Sequence, residues 1–182
     1  MPRQYIQTKS ATKFEHVIGY KFKKQDLLRQ ALTHASAVAE NHPTAFSRDL
    51  TSLAFVGDAA LKYCVARYLF LNGLDSVTRS TVELHEGVQR IISNNVLAEI
   101  GREKLHLEEY LVRGNAHRIV NMNMYADCME AVLGAIALDC GTDQQEVIFR
   151  VVEKMCSDRV EPLLMQTQRQ LHQGMAEAAA KH

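Results

Sequence analysis

The chain has 182 residues, with 21 Lys plus Arg against 21 Asp plus Glu, 47% apolar residues, three prolines and nine glycines. That profile excludes intrinsic disorder and suits one domain with a proper core. A formal net charge of zero excludes a general electrostatic affinity for nucleic acid, so any such binding has to come from local patches.

The chain opens on a stretch that we expect to be flexible over residues 1–12. Its first fourteen residues hold Arg3, Lys9 and Lys13 and no acid, the pattern either of a trimmed mitochondrial presequence or of an ordinary frayed terminus. A main domain is expected over 13–165. Its apolar positions recur with helical period nearly everywhere, and no alternating segment of strand length stands out, which predicts an all-α fold. A short helix around Phe14 to Ile18 should end at Gly19, and a second should begin near Gln25 with Leu27, Leu28, Ala31 and Leu32 on one side. "SAVAENHPTAFSR" reads as a loop. A long apolar helix, "TSLAFVGDAALKYCVARYLF", follows from Thr51 to Phe70, with Asn72 and Gly73 as its stop.

Two further helices are predicted over Thr78 to Ile92 and Ser93 to Lys104, then a polar loop, "GNAHRIVNMNM". Tyr125 to Leu138 reads as another apolar helix, with Gly141 as its C-cap and Asp143 as the next N-cap. A last helix runs from about Asp143 to Glu161, stopped by Pro162, and a helix-prone tail occupies 166–182. No apolar run approaches the roughly 20 residues of a membrane span, so no membrane partner is expected. Cys64, Cys128, Cys140 and Cys156 stand singly, as in a reduced intracellular protein.

Two of these apolar helices carry carboxylates. Asp58 lies in the middle of the first, and Asp127 and Glu130 lie three residues apart on the second, sharing a face. If the helices pack together, the three acids can form a pocket for a hard divalent cation such as Mg²⁺. The alternative is structural: Asp58 caps a neighbouring backbone, and Asp127 N-caps a helix that Glu130 helps to close. A rival pair, Glu103 and His106, has the i, i+3 spacing of helical di-iron sites but no second pair to complete it. His16, His42, His85, His172 and His182 form no ligand-spaced cluster and are expected at the surface.

"LAFVGDAALKYCVARYLF" resembles the ribonuclease III signature, L-E-F-L-G-D-A-V-L, and "ADCMEAVLGAIALDCG" resembles the second acidic motif of that family. "IGYKFKKQDLLRQALTHAS" and "ISNNVLAEIGREKLHLEEYLVRG" resemble two more of its segments, in the same order, so the likeness covers about Phe14 to Leu164. The resemblance implies an all-helical, dimeric domain that uses Mg²⁺, or Mn²⁺ in its place, to cut double-stranded or structured RNA with a cluster of four acids. Carried over by position, Asp58, Asp127 and Glu130 match three catalytic, metal-binding acids, and Ala54 falls on the fourth, a glutamate. The chain is thus expected either to be an endoribonuclease impaired at Ala54, whether by natural loss or by deliberate replacement, or to be a non-catalytic subunit used for dimerisation and RNA docking in a ribonucleoprotein.

By the same resemblance Phe55 matches an aromatic that packs into a partner subunit, identical or related, while His34 and Asn94 match supporting positions. Candidate phosphate contacts are Arg113, His117 and Arg118, and Lys21, Lys23 and Lys24 near the start. No segment after Pro162 has the length of a double-stranded-RNA-binding domain. The expected location is intracellular: mitochondrial, cytoplasmic or nuclear.

Overall fold

The computed structural model describes residues 8–71, 81–141 and 146–155, with 158, 162, 165 and 169. The predicted stop at Asn72 and Gly73, the N-cap at Asp143, Cys156, His172, His182, nearly all of the C-terminal tail and the first seven residues lie outside them.

The described residues are helical, as the periodicity predicts: α1 (Ala11–Ile18), α2 (Gln25–Ala31), α3 (Ala35–Ala39), α4 (Thr51–Leu71), α5 (Thr81–Ile92), α6 (Asn94–Glu103) and α7 (Met122–Asp139), followed by a helical stretch, α8, over 146–155. One isolated parallel bridge joins Thr33 to Val112, and no longer strand occurs among the described residues. Gly19 ends α1 in the left-handed conformation (φ 72°), its N–H returning 2.9 Å to the Glu15 carbonyl. The loop expected before α4 contains α3, which His34 starts by accepting the Ser36 N–H on its side chain.

α7 is the centre of the molecule. From Ala131 to Ala137 every residue is buried, so the helix is enclosed on all sides, the pattern of a core helix rather than an amphipathic surface one. α4 lies along it, with α6 and α2 packed on its other sides. The helix starts three residues before the predicted Tyr125, because the Asn121 side chain accepts the Met124 N–H at 3.0 Å. Asp127 therefore stands in the second turn and caps nothing, which removes that structural alternative. At the far end Asp139 is buried and accepts from the backbone N–H groups of Lys23 and Lys24 and from the Tyr20 hydroxyl, tying α7 to the start of α2.

His42, expected at the surface, is buried instead, and its Nδ1 accepts the Thr44 N–H in a local turn. Cys64, Cys128 and Cys140 are buried thiols. Among the described residues no helix is long and apolar enough to cross a membrane.

Candidate functional site

The position of the three acids follows from a contact between two backbones. A Cβ on Gly57 of α4 would fall 1.7 Å from the Glu130 carbonyl oxygen of α7, and a Cβ on Gly134 of α7 would fall 2.0 Å from the Leu53 carbonyl oxygen of α4. Only glycine fits at either place, and the two helices cross with main chain against main chain. Asp58 follows Gly57 directly and so emerges at the edge of this crossing, beside Glu130. Ala54, one turn earlier, is buried in the same face.

Asp58, Asp127 and Glu130 share one electrostatic field. Burial, and then the charges of Asp58 and Asp127, push the Glu130 carboxyl up to about 7, against the opposing pull of Lys62. Asp127 is exposed by area, yet crowding by the protein still raises its carboxyl, with His34 working the other way. Asp58 has a cation of its own: Lys62, one turn on, donates from Nζ to its Oδ2 at 2.7 Å. Asp58 is thus half-buried and paired, where the apolar run of its helix suggested deep burial.

A second wall lies beside Asp127. His34 N–H donates to the Val112 carbonyl at 2.9 Å, and Val112 N–H donates to the Leu32 carbonyl at 2.8 Å. Beyond Val112, Gly114 N–H donates to Ser36 Oγ, while the Glu40 carboxylate accepts from the N–H groups of Asn115 and Ala116. This clip brings the His117 ring to 5.2 Å from the His34 ring. Burial lowers the His34 pKa, and His117 lowers it further, while Asp127 and Asp49 oppose the shift. His34 therefore stands close to both Asp127 and His117.

The other sequence candidates separate. Arg113 is buried, and its guanidinium donates to the carbonyls of Glu108, Leu111 and Arg118. It holds the loop, whereas His117 and Arg118 are exposed on it. Asn94 is exposed at the first position of α6. Phe55 points outward from α4 with 81% of its surface exposed. The Glu103 and His106 pair dissolves, because α6 ends at Glu103 and His106 takes a left-handed conformation (φ 48°) beyond it. Lys62 was legible as an i, i+4 partner of Asp58 but was not singled out by sequence. Nothing in the sequence marked the Glu40 clip.

Carboxylate oxygens are the right donors for Mg²⁺. Yet Ala54 offers only a methyl group, Asp58 is engaged by Lys62, and among the described residues no group of three His, Cys, Asp or Glu side chains is placed to hold a metal ion. The residues as they stand do not fit the ion.

A family model described as Ribonuclease-III-like matches residues 24–155. Among relatives, the Ribonuclease 3 of Nitrosococcus oceani is 31% identical over 150 residues, covering 80% of this chain and 58% of its own length. That of Sinorhizobium fredii is 31% identical over 163 residues, covering 87% and 63%. The chain thus spans about three fifths of the length of the curated relatives it matches. Two structures of the nuclease domain of ribonuclease III from Campylobacter jejuni, each 27% identical, superpose with TM-scores of 0.66 and 0.65, covering 81% and 80% of this chain and 96% and 97% of theirs. One of these was described for flexibility in a region involved in dimer formation.

Proposed function

Because this chain belongs to the ribonuclease III-like family, we propose that it is a non-catalytic member, a subunit that uses the nuclease fold to pair with a second subunit and to dock double-stranded or structured RNA inside a ribonucleoprotein. The observation that carries this reading is the Lys62 ammonium, 2.7 Å from Asp58. It neutralises one of the three remaining acids internally, at a pocket that already lacks its fourth at Ala54. Both side chains are roughly half exposed, so the pair adds little stability, but it sets a cation of the chain's own against a carboxylate that a metal site would need open.

The pairing surface would be the outer face of α4. Phe55, Tyr63 and Phe70 are exposed along it, at spacings that place them on one side of the helix. An exposed phenylalanine flanked by further large apolar side chains marks an interaction site rather than a solvated face. The RNA-facing groups of the central loop would be His117 and Arg118, with Arg113 holding that loop in place. The three reduced, buried cysteines suit an intracellular setting.

A second reading, a Mg²⁺-dependent endoribonuclease in which Asp58, Asp127 and Glu130 serve catalysis, is favoured by one observation: burial, and then the charges of Asp58 and Asp127, push the Glu130 carboxyl up to about 7, and a cation would relieve the repulsive part. One comparison separates the two. Long double-stranded RNA is incubated with Mg²⁺, and in parallel with Mn²⁺, in the presence of the chain or of an Ala54→Glu/Lys62→Ser variant, and binding is followed in a gel-shift assay. Binding without cleavage by the unaltered chain is expected. Cleavage by that chain overturns the non-catalytic reading in favour of the second, and failure to bind RNA overturns both.

A further inference from the structure

Away from the acids, the turn into α2 and the loop before α4 enclose an open groove of about 480 Å³, lined among others by Lys23, Lys24, Gln30, Phe46 and Arg48. In a chain of zero net charge this is a concentration of cations. The one acid lining the groove, Asp26, already faces the Arg29 guanidinium at 3.3 Å. Lys23, Lys24 and Arg48 are exposed and make no ion pair among the described residues. Lys23 and Lys24 are fixed at the backbone, since their N–H groups are bound to the Asp139 carboxylate, whose charge Lys23 also feels.

The aromatic ring decides the chemical class. Phe46 lines the groove with Arg29 over its ring, 5.5 Å from the centroid, and its N–H is held by Thr33 Oγ. Cations alone would take any polyanion. A planar platform of phenylalanine and guanidinium set beside three exposed cations suits a chain of alternating phosphates and flat bases. The bases must be unstacked to reach such a platform, which excludes the interior of a duplex.

We propose that this groove binds a single-stranded segment of RNA, with phosphodiesters on Lys23, Lys24 and Arg48 and a base on the Phe46 and Arg29 platform. The proposal rests on the RNA-docking reading above and names where an unpaired end or loop of the docked RNA would be held. Gln30, which also lines the groove, donates to the Asp49 carbonyl and to Ser52 Oγ. The groove is thereby joined to the first turn of α4, the helix that carries Ala54 and Asp58.

The test is fluorescence anisotropy with a labelled oligouridylate across a salt series. It compares the full chain with Lys23→Ala/Lys24→Ala/Arg48→Ala, with Phe46→Leu, and with a control triple, Arg67→Ala/Arg90→Ala/Lys154→Ala, that removes equal charge outside the groove. Each phosphate contact to a single strand contributes about 0.7 to the slope of log K against log salt, so the groove triple is expected to flatten it by about two. The control triple should leave the slope nearly unchanged, and Phe46→Leu should weaken binding about tenfold with the slope preserved. If the full chain binds and the groove triple keeps its affinity and slope, the groove assignment is overturned while the docking reading stands. It is likewise overturned if Phe46→Leu binds as the full chain does and polyglutamate competes as well as RNA. No binding by the full chain overturns the docking reading and this one with it.

Discussion

Replacing Glu130 by glutamine should make the protein more stable at neutral and alkaline pH. In the fold the carboxyl is raised from 4.5 to about 7, first by burial and then by Asp58 and Asp127. A carboxyl whose folded value lies above its unfolded one favours the folded state while protonated, fully so below about 4.5. Its contribution is lost as pH rises towards and through about 7, because the unfolded chain has by then released a proton that the native chain still holds. At about 1.4 kcal/mol per pH unit the rise from 4.5 to about 7 sets a ceiling of about 3 kcal/mol. Glu130 is only partly buried and Lys62 opposes the shift, so screening by water reduces the expected effect to about 1 to 2 kcal/mol.

The assay is urea unfolding of the chain and of Glu130→Gln in metal-free buffer, from pH 4 to pH 8. The two curves of stability against pH should meet near pH 4 and separate by about 1 to 2 kcal/mol near pH 8, with the glutamine form the more stable. A constant difference between them across the range would refute the raised Glu130 carboxyl, and with it the burial and neighbouring charge that raise it.

The crossing of α4 and α7 predicts that Gly57→Ala costs more than about 3 kcal/mol, since its Cβ would meet the Glu130 carbonyl at 1.7 Å; chemical denaturation showing a loss under about 1 kcal/mol would contradict the backbone contact. Asp139→Asn should cost about 2 kcal/mol at neutral pH. Burial opposes the Asp139 charge, but the amides of Lys23 and Lys24 and the Tyr20 hydroxyl outweigh it and lower the pKa. That cost should therefore fade as pH drops through the carboxyl's depressed value, as urea titrations at successive pH values would record. Phe55→Glu should leave the thermal midpoint of the monomer nearly unchanged while abolishing self-association in analytical ultracentrifugation, because 81% of the side chain already faces water.

Periodicity revealed most of the helices because it depends only on local order, and α4 and α7 were recognisable as unusually apolar throughout. What it missed had short-range causes that compete with periodicity. α3 is five residues long, too brief for a face to repeat, and α7 begins early because Asn121 supplies a cap inside what reads as a polar loop. Glu130 lies within electrostatic reach of Asp58 and of Asp127, but among the described residues the three do not gather as a metal-holding group. The crossing that sets Asp58 beside Glu130 was written in Gly57 and Gly134, each standing inside an apolar helix where a glycine signals close approach. Arg113 was the opposite case: its residue type suggests the surface, and only the arrangement of the Glu108, Leu111 and Arg118 carbonyls turns it inward. Long-range clips such as Glu40 to Asn115 and Ala116 depend on the finished fold and leave no local trace.

The two-glycine crossing also bears on how such a protein can change over generations. It is made of main chain and needs no carboxylate, so substitutions at Ala54, Asp58 or Lys62 alter what the pocket holds without moving the pocket. Selection on the scaffold and selection on the chemistry are therefore separable. A lineage can surrender its reaction one side chain at a time while every intermediate still folds, and the same route lies open to protein engineers in reverse.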